Sequence, residues 1–167
     1  MKELGKQPKG GRADRRDRLI RELDHDPYHA KLKIKGPAVC PGCGAVFLRD
    51  RWTWQTAPSD AREHTCPACQ RIKDRVPAAF LTLSGDFSVN HRDEIMNLIN
   101  NYQQQQAKDH PLKRIMATEA QAAGLVLTFT DAHLARGIGE ALQNAYEGEL
   151  DYEYTKEDIM LRVSWVR

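Results

Sequence analysis

The residues with the clearest chemistry in this 167-residue chain are its four cysteines. They form two C-x-x-C pairs, Cys40 with Cys43 and Cys66 with Cys69, and 22 residues separate the two pairs. Four thiolates satisfy a tetrahedral zinc ion completely, and two C-x-x-C pairs at about this separation are typical of structural zinc sites. The sequence therefore predicts one zinc ion held by all four cysteines.

A redox dithiol is the alternative use of a C-x-x-C pair. That chemistry needs a single pair at the start of a helix in a βαβ setting, with a lowered thiol pKa. Both pairs here contain proline and neither has that setting, so the zinc site is favoured. His64 lies two residues before Cys66, and we expect it to be a surface side chain because four cysteines already complete the ligand set.

The segments around the cysteines predict a small zinc module. Residues 46–48 and 52–54 can pair as a short hairpin, and residues 70–76 have helical character. A knuckle, a hairpin and a helix that carries the last ligands follow one another as in a treble clef. A zinc ribbon, which has two knuckles and no helix, is the competing architecture.

Basic and aromatic residues accompany this module. Residues 1–75 carry 17 Lys and Arg against 10 Asp and Glu (+7), whereas residues 76–167 carry 8 against 13 (−5). A basic face with aromatic rings is suited to contact phosphates and stack on unpaired bases. We expect Arg71 and Arg75 to share a helix face, and at least one of the hairpin tryptophans to be buried. The candidate RNA-binding residues are Arg15, Arg16, Arg49, Arg51, Trp52, Trp54, Arg71, Lys73 and Arg75.

The remainder of the chain predicts a sheet covered by helices. After Pro77, strand patterns alternate with two amphipathic helices, of which one has Ile95 and Ile99 on its inner face and the other is capped by Asp131. The order is β-α-β-β-α-β-β, an α+β arrangement with a mixed or antiparallel sheet and helices on one face. We thus expect a basic, partly disordered arm (1–37), the four-cysteine zinc module (38–77) and an α+β module (78–167).

The cysteine pairs also carry a family resemblance. Cys40-Pro-Gly-Cys43-Gly and Cys66-Pro-Ala-Cys69, with residues 124–133 and 159–165 downstream, resemble the nonsense-mediated-decay-associated adaptors of the large ribosomal subunit. The chain also resembles short bacterial chains that are grouped with this family by their paired C-P-x-C motifs, and it has one set of cysteines and no evident nuclear-export segment. The resemblance implies zinc on the four cysteines and contact with ribosomal RNA or a ribosomal protein.

Several function classes are not expected. No apolar run reaches the roughly 20 residues of a membrane helix, and the start of the chain has no secretory pattern, so we expect a cytoplasmic protein without a membrane partner. A deaminase H-x-E motif and a glycine-rich phosphate loop are both missing, so we expect neither an enzyme nor a small-molecule substrate. The alternative function is a protein-interaction module in which zinc is purely structural and the acidic C-terminal module recruits a partner.

Overall fold

The structure, a computed structural model, describes Tyr28, residues 34–155 and residues 160–167. Most of the predicted arm 1–37 lies outside these ranges, and with it Arg15 and Arg16. The prediction of a basic, partly disordered arm and the division of the chain at residues 37/38 and 77/78 therefore stay predictions.

The cysteine-containing segment forms a four-stranded sheet and one helix. Its strands are β1 (Ala38–Val39), β2 (Val46–Leu48), β3 (Arg51–Thr53) and β4 (Arg62–Glu63), in the spatial order β3-β2-β1-β4. Helix α1 (Pro67–Asp74) follows. The hairpin and the helix are confirmed, with shifted bounds: the second strand is residues 51–53 instead of 52–54, and the helix is residues 67–74 instead of 70–76. The parallel pairing of β1 with β4 was not anticipated, because two-residue strands carry no periodic pattern.

The turn of the β2–β3 hairpin presents charged side chains. Arg49 and Asp50 connect β2 to β3, and the residues on either side of them, Leu48 and Arg51, pair with each other. Both turn residues have positive φ (50° and 63°). A two-residue turn with both residues left-handed matches the right-handed twist of the strands it joins. The turn therefore places Arg49, Asp50 and Arg51 together at an exposed tip.

The described residues after Pro77 form an α+β arrangement of five strands and three helices. The sheet contains β5 (Ala79–Ser84), β6 (Ile115–Gln121), β7 (Gly124–Phe129), β8 (Glu149–Tyr154) and β9 (Leu161–Val166), in the order β6-β7-β5-β9-β8. The helices are α2 (Asp86–Asn90), α3 (Arg92–Asp109) and α4 (Ala132–Tyr146). The β-α-β-β-α-β-β order is confirmed, with the first helix divided at His91. The sheet is mixed, because β5 and β9 are parallel and the other neighbours are antiparallel.

One apolar core holds the helices on a single face of this sheet. Alternate residues of β5 and β9 are buried, as expected for strands with one covered face. Ile95 and Ile99 of α3 and the inner face of α4 pack on them, and the side chain of Asp131 caps α4 by accepting from the Leu134 N–H at 2.8 Å. Trp165 is fully buried and donates its indole N–H to the Glu147 carbonyl at 2.8 Å.

Candidate metal centre

The four cysteines meet in one cluster. Their sulfur atoms all lie within 4.8 Å of one another, and no disulfide joins them. Four sulfurs at about 2.3 Å from a tetrahedral zinc ion would be about 3.8 Å apart. The Sγ atoms of Cys43 and Cys66 lie 3.7 Å apart. The donor set therefore fits a zinc ion, and a four-thiolate shell leaves no open coordination position for a substrate.

Two tight backbone structures hold the sulfurs in place. In the first, the Gly44 N–H donates to the Cys40 carbonyl and the Cys40 N–H donates to the Ala45 carbonyl, both at 2.8 Å. Gly44 has φ of +79°, which a residue without a Cβ adopts at little cost. In the second, Cys66 is the N-cap of α1, so its sulfur accepts the Cys69 N–H at 3.4 Å. The helix thus carries Cys66 and Cys69 on its first turn.

Arg114 joins the α+β module to this cluster. Its Nη1 donates to the sulfur of Cys69 and its Nη2 to the sulfur of Cys66, both at 3.4 Å. Its Nε donates to the Pro111 carbonyl at 2.9 Å, which fixes the orientation of the guanidinium. A positive charge here offsets part of the formal −2 charge of a zinc tetrathiolate. Sequence reasoning missed this residue, because no local pattern connects Arg114 to cysteines more than forty positions away.

The electrostatic setting differs among the sulfurs. Burial raises the pKa of the Cys66 and Cys69 thiols above the ordinary value. Burial also acts to raise the pKa of Cys40, but N–H donors from Cys66, Gly42 and Cys43 outweigh it and lower that pKa to about 7. The pKa of Arg114 is raised although burial opposes its charge, because it bonds to Cys69 and faces the other sulfurs. The guanidinium therefore stays charged beside the metal site.

The basic candidates separate into exposed and buried residues. Arg49, Arg51, Lys73 and Arg75 are exposed, as RNA contact requires. Arg71 is only 5% exposed, which corrects the expectation that it forms an exposed pair with Arg75.

The burial of Arg71 has a local cause. Its Nη1 donates to the Val76 carbonyl at 3.1 Å, and its guanidinium lies 4.3 Å from the centre of the Tyr28 ring. Helix α1 ends at Asp74, and Arg75 takes a left-handed conformation (φ 56°). Arg71 therefore closes the helix end instead of facing solvent.

The two hairpin tryptophans have different environments. Trp52 is half-buried against the cysteine cluster, with its ring centre 5.4 Å from that of Phe47 and 6.5 Å from that of His64. Trp52 therefore packs around the metal site, but neither tryptophan is buried to the extent that the sequence predicted. Trp54 is 46% exposed, and its indole N–H donates to the Ala107 carbonyl at 2.6 Å, at the end of α3. Trp54 thus ties the hairpin to the α+β module.

Comparison with known proteins gives no independent assignment. No family model, no curated protein and no solved structure matches the chain. The resemblance to large-subunit adaptors therefore stays a prediction. Within the ranges that the structure describes, no helix combines the length and the apolar character needed to cross a bilayer.

Proposed function

We propose that this chain is a non-catalytic, cytoplasmic, zinc-containing RNA-binding protein that acts as an adaptor on the large ribosomal subunit. The observation that carries the proposal is the cluster of four sulfurs together with the hairpin that packs on it through Trp52 and exposes Arg49 and Arg51 at its tip. In this proposal zinc is structural, the segment 38–77 is a treble-clef module, and ribosomal RNA or a ribosomal protein is the partner. The ribosomal target comes from the family resemblance.

The hairpin tip has the charge and the accessibility that phosphate contact needs. Arg49 and Arg51 are exposed at the tip, and Lys73 and Arg75 are exposed at the end of α1. A guanidinium can bind two phosphate oxygens at once, which favours Arg at such sites. The sulfur cluster stabilises the strands that present Arg49 and Arg51, so zinc contributes to binding by holding the tip in shape.

Charge reversal at the tip tests the proposal. We expect Arg49→Glu/Arg51→Glu to weaken binding to single-stranded RNA and cosedimentation with large ribosomal subunits. Each lost phosphate contact should reduce the log–log salt slope by about 0.7–0.9. Arg92→Glu/Lys108→Glu, which reverses two exposed charges on α3, is the matched control. Equal binding by both double variants, or no binding by the wild type at low salt, would contradict the proposal.

A protein-interaction module remains the second candidate, and the edge strand β8 favours it. Glu149, Asp151 and Glu153 alternate along β8 and are exposed. β8 is the last strand of its sheet, and an edge strand offers unpaired backbone groups to a partner strand. A basic partner that binds through β8 should be captured equally by the wild type and by Arg49→Glu/Arg51→Glu, which separates the two functions.

A further inference from the structure

A groove lies between the hairpin and the α+β module. It encloses about 610 Å³, and its lining includes Phe47, Arg51 and Trp52 from the hairpin and His110 and Lys113 from the turn after α3. Pockets of roughly 300–1,000 Å³ are the usual size for small ligands. The groove is separate from the metal site, whose sulfurs do not line it.

The lining combines aromatic surface with positive charge. Phe47 and Trp52 are paired across the hairpin with ring centres 5.4 Å apart, and both are only partly buried. Arg51 is exposed, and Lys113 is half-buried with its Nζ donating to Gln106 Oε1 at 3.0 Å. An ammonium group has three donors, so Lys113 keeps donors for an anion. Aromatic faces with adjacent cations are the chemistry that binds an unpaired nucleotide.

Two carboxylates also contribute to the lining. Asp131 caps α4 and its Oδ1 accepts the Leu134 N–H at 2.8 Å, so the helix N-terminus offsets its charge. Asp50 and Arg51 are both exposed at the hairpin tip, so water and salt screen both charges, whereas Lys113 is half-buried and its charge is screened less. A phosphate is therefore expected beside Arg51 and Lys113.

Leu112, one of the residues that line the groove, is held by packing and a hydrogen bond. Leu112 packs against the cysteine cluster, and its carbonyl accepts the Thr130 hydroxyl at 2.6 Å. Thr130 also accepts the Arg114 N–H at 2.9 Å. A site that is ordered before binding loses less entropy when a ligand enters.

We propose that this groove binds one unpaired nucleotide of single-stranded RNA. The base packs on Phe47 and Trp52, and its phosphate is held by Arg51 and Lys113. This inference rests on the proposed RNA-binding function and names the element that the protein recognises: an unpaired base rather than a duplex. Single-stranded loops and ends, which expose such bases, are the class of RNA it would select.

Matched charge removals on the zinc-loaded, full-length protein test the groove. We expect Arg51→Gln and Lys113→Gln each to weaken binding to a labelled ten-residue oligouridine by roughly tenfold, because each removes a charged hydrogen bond. Arg92→Gln and Lys108→Gln remove the same charge types from exposed positions outside the groove and should change binding by about twofold or less. An equal effect of groove and control variants would overturn the proposal.

Uridine monophosphate gives an independent measurement. We expect its addition to shift the NMR signal of the Trp52 indole N–H and to leave that of buried Trp165 in place, with the signals assigned by single Trp→Phe variants. If the wild type binds oligouridine but the Trp52 signal does not move and the groove variants match their controls, the groove inference is wrong and the proposed function stands. If the wild type binds no RNA, the proposed function fails. The Trp52 signal then decides alone whether the groove is a nucleotide site.

Discussion

Replacing Arg114 tests the connection between the metal site and the α+β module. Arg114→Ala removes two N–H···S hydrogen bonds of 3.4 Å and the positive charge next to two of the four sulfurs. Loss of such a partner of a metal ligand costs about 10–100-fold in metal affinity, which is about 1.4–2.8 kcal/mol. We expect zinc affinity to fall within that range.

A conservative variant separates charge from geometry. Arg114→Lys keeps the positive charge, but an ammonium cannot reproduce the forked donors that reach both sulfurs. It should therefore lose less affinity than Arg114→Ala and still bind more weakly than the wild type. Arg162→Ala is the control, because Arg162 lies over the Phe80 ring and makes no contact with a sulfur in the structure.

Competition for zinc against a chromophoric chelator at fixed pH measures all three variants. The rank expected is wild type equal to Arg162→Ala, then Arg114→Lys, then Arg114→Ala. Zinc affinity of Arg114→Ala within twofold of the wild type would refute the reasoning, because the two sulfur contacts would then contribute nothing to metal binding. Thermal unfolding of each zinc-loaded variant checks that the folded state is retained.

Three further predictions concern zinc removal, the pH dependence of zinc binding, and a glycine in the sheet. Removal of zinc by a chelator should abolish hydrogen-exchange protection in residues 38–77, because zinc binding and folding are coupled there. Protection in β5 and β7 should remain, since the core of the α+β module contains no residue from 38–77. Loss of protection in β5 and β7 as well would contradict this prediction. Zinc affinity should rise with pH by at least about two orders of magnitude per pH unit, because zinc binding displaces at least the protons that the raised pKa values keep on Cys66 and Cys69. The rise should be steeper below about pH 7, where Cys40 is also protonated. Chelator competition from pH 6 to 8 measures the slope, and a flat profile would contradict the prediction. Gly124→Ala should lower the free energy of unfolding in urea by about 3 kcal/mol or more, because the added Cβ would lie 1.8 Å from the Leu83 carbonyl oxygen. Gly36→Ala is the control: its Cβ would meet open space at φ of +82°, so it should cost only about 1 kcal/mol. Similar values for the two variants would show that the structure relieves the clash at Gly124.

Local sequence patterns were sufficient to predict the four metal ligands and most of the strands and helices. The two C-x-x-C pairs identified all four sulfur donors, because the spacing within each pair is itself the geometric requirement of a knuckle. The alternation in residues 79–84 and the i, i+4 spacing of Ile95 and Ile99 predicted a strand and a helix, since these periods report which side of an element is buried.

The sequence did not predict contacts between residues that are far apart along the chain. Nothing local shows that β9 lies between β5 and β8 and runs parallel to β5. The burial of Arg71 was missed for a similar reason: its guanidinium packs on Tyr28, which is distant in the sequence, and its helix ends at Asp74, one residue before Arg75.

The chain by itself thus determined the chemistry of its metal ligands and the order of its strands and helices, because both are encoded in spacings of a few residues. Only the tertiary structure brought Arg114 to the sulfurs of Cys66 and Cys69, and set the aromatic hairpin against the turn at 110–113 to form the groove. The physical reason is that packing of separate elements decides which side chains meet, and the local sequence records only which side of each element is apolar.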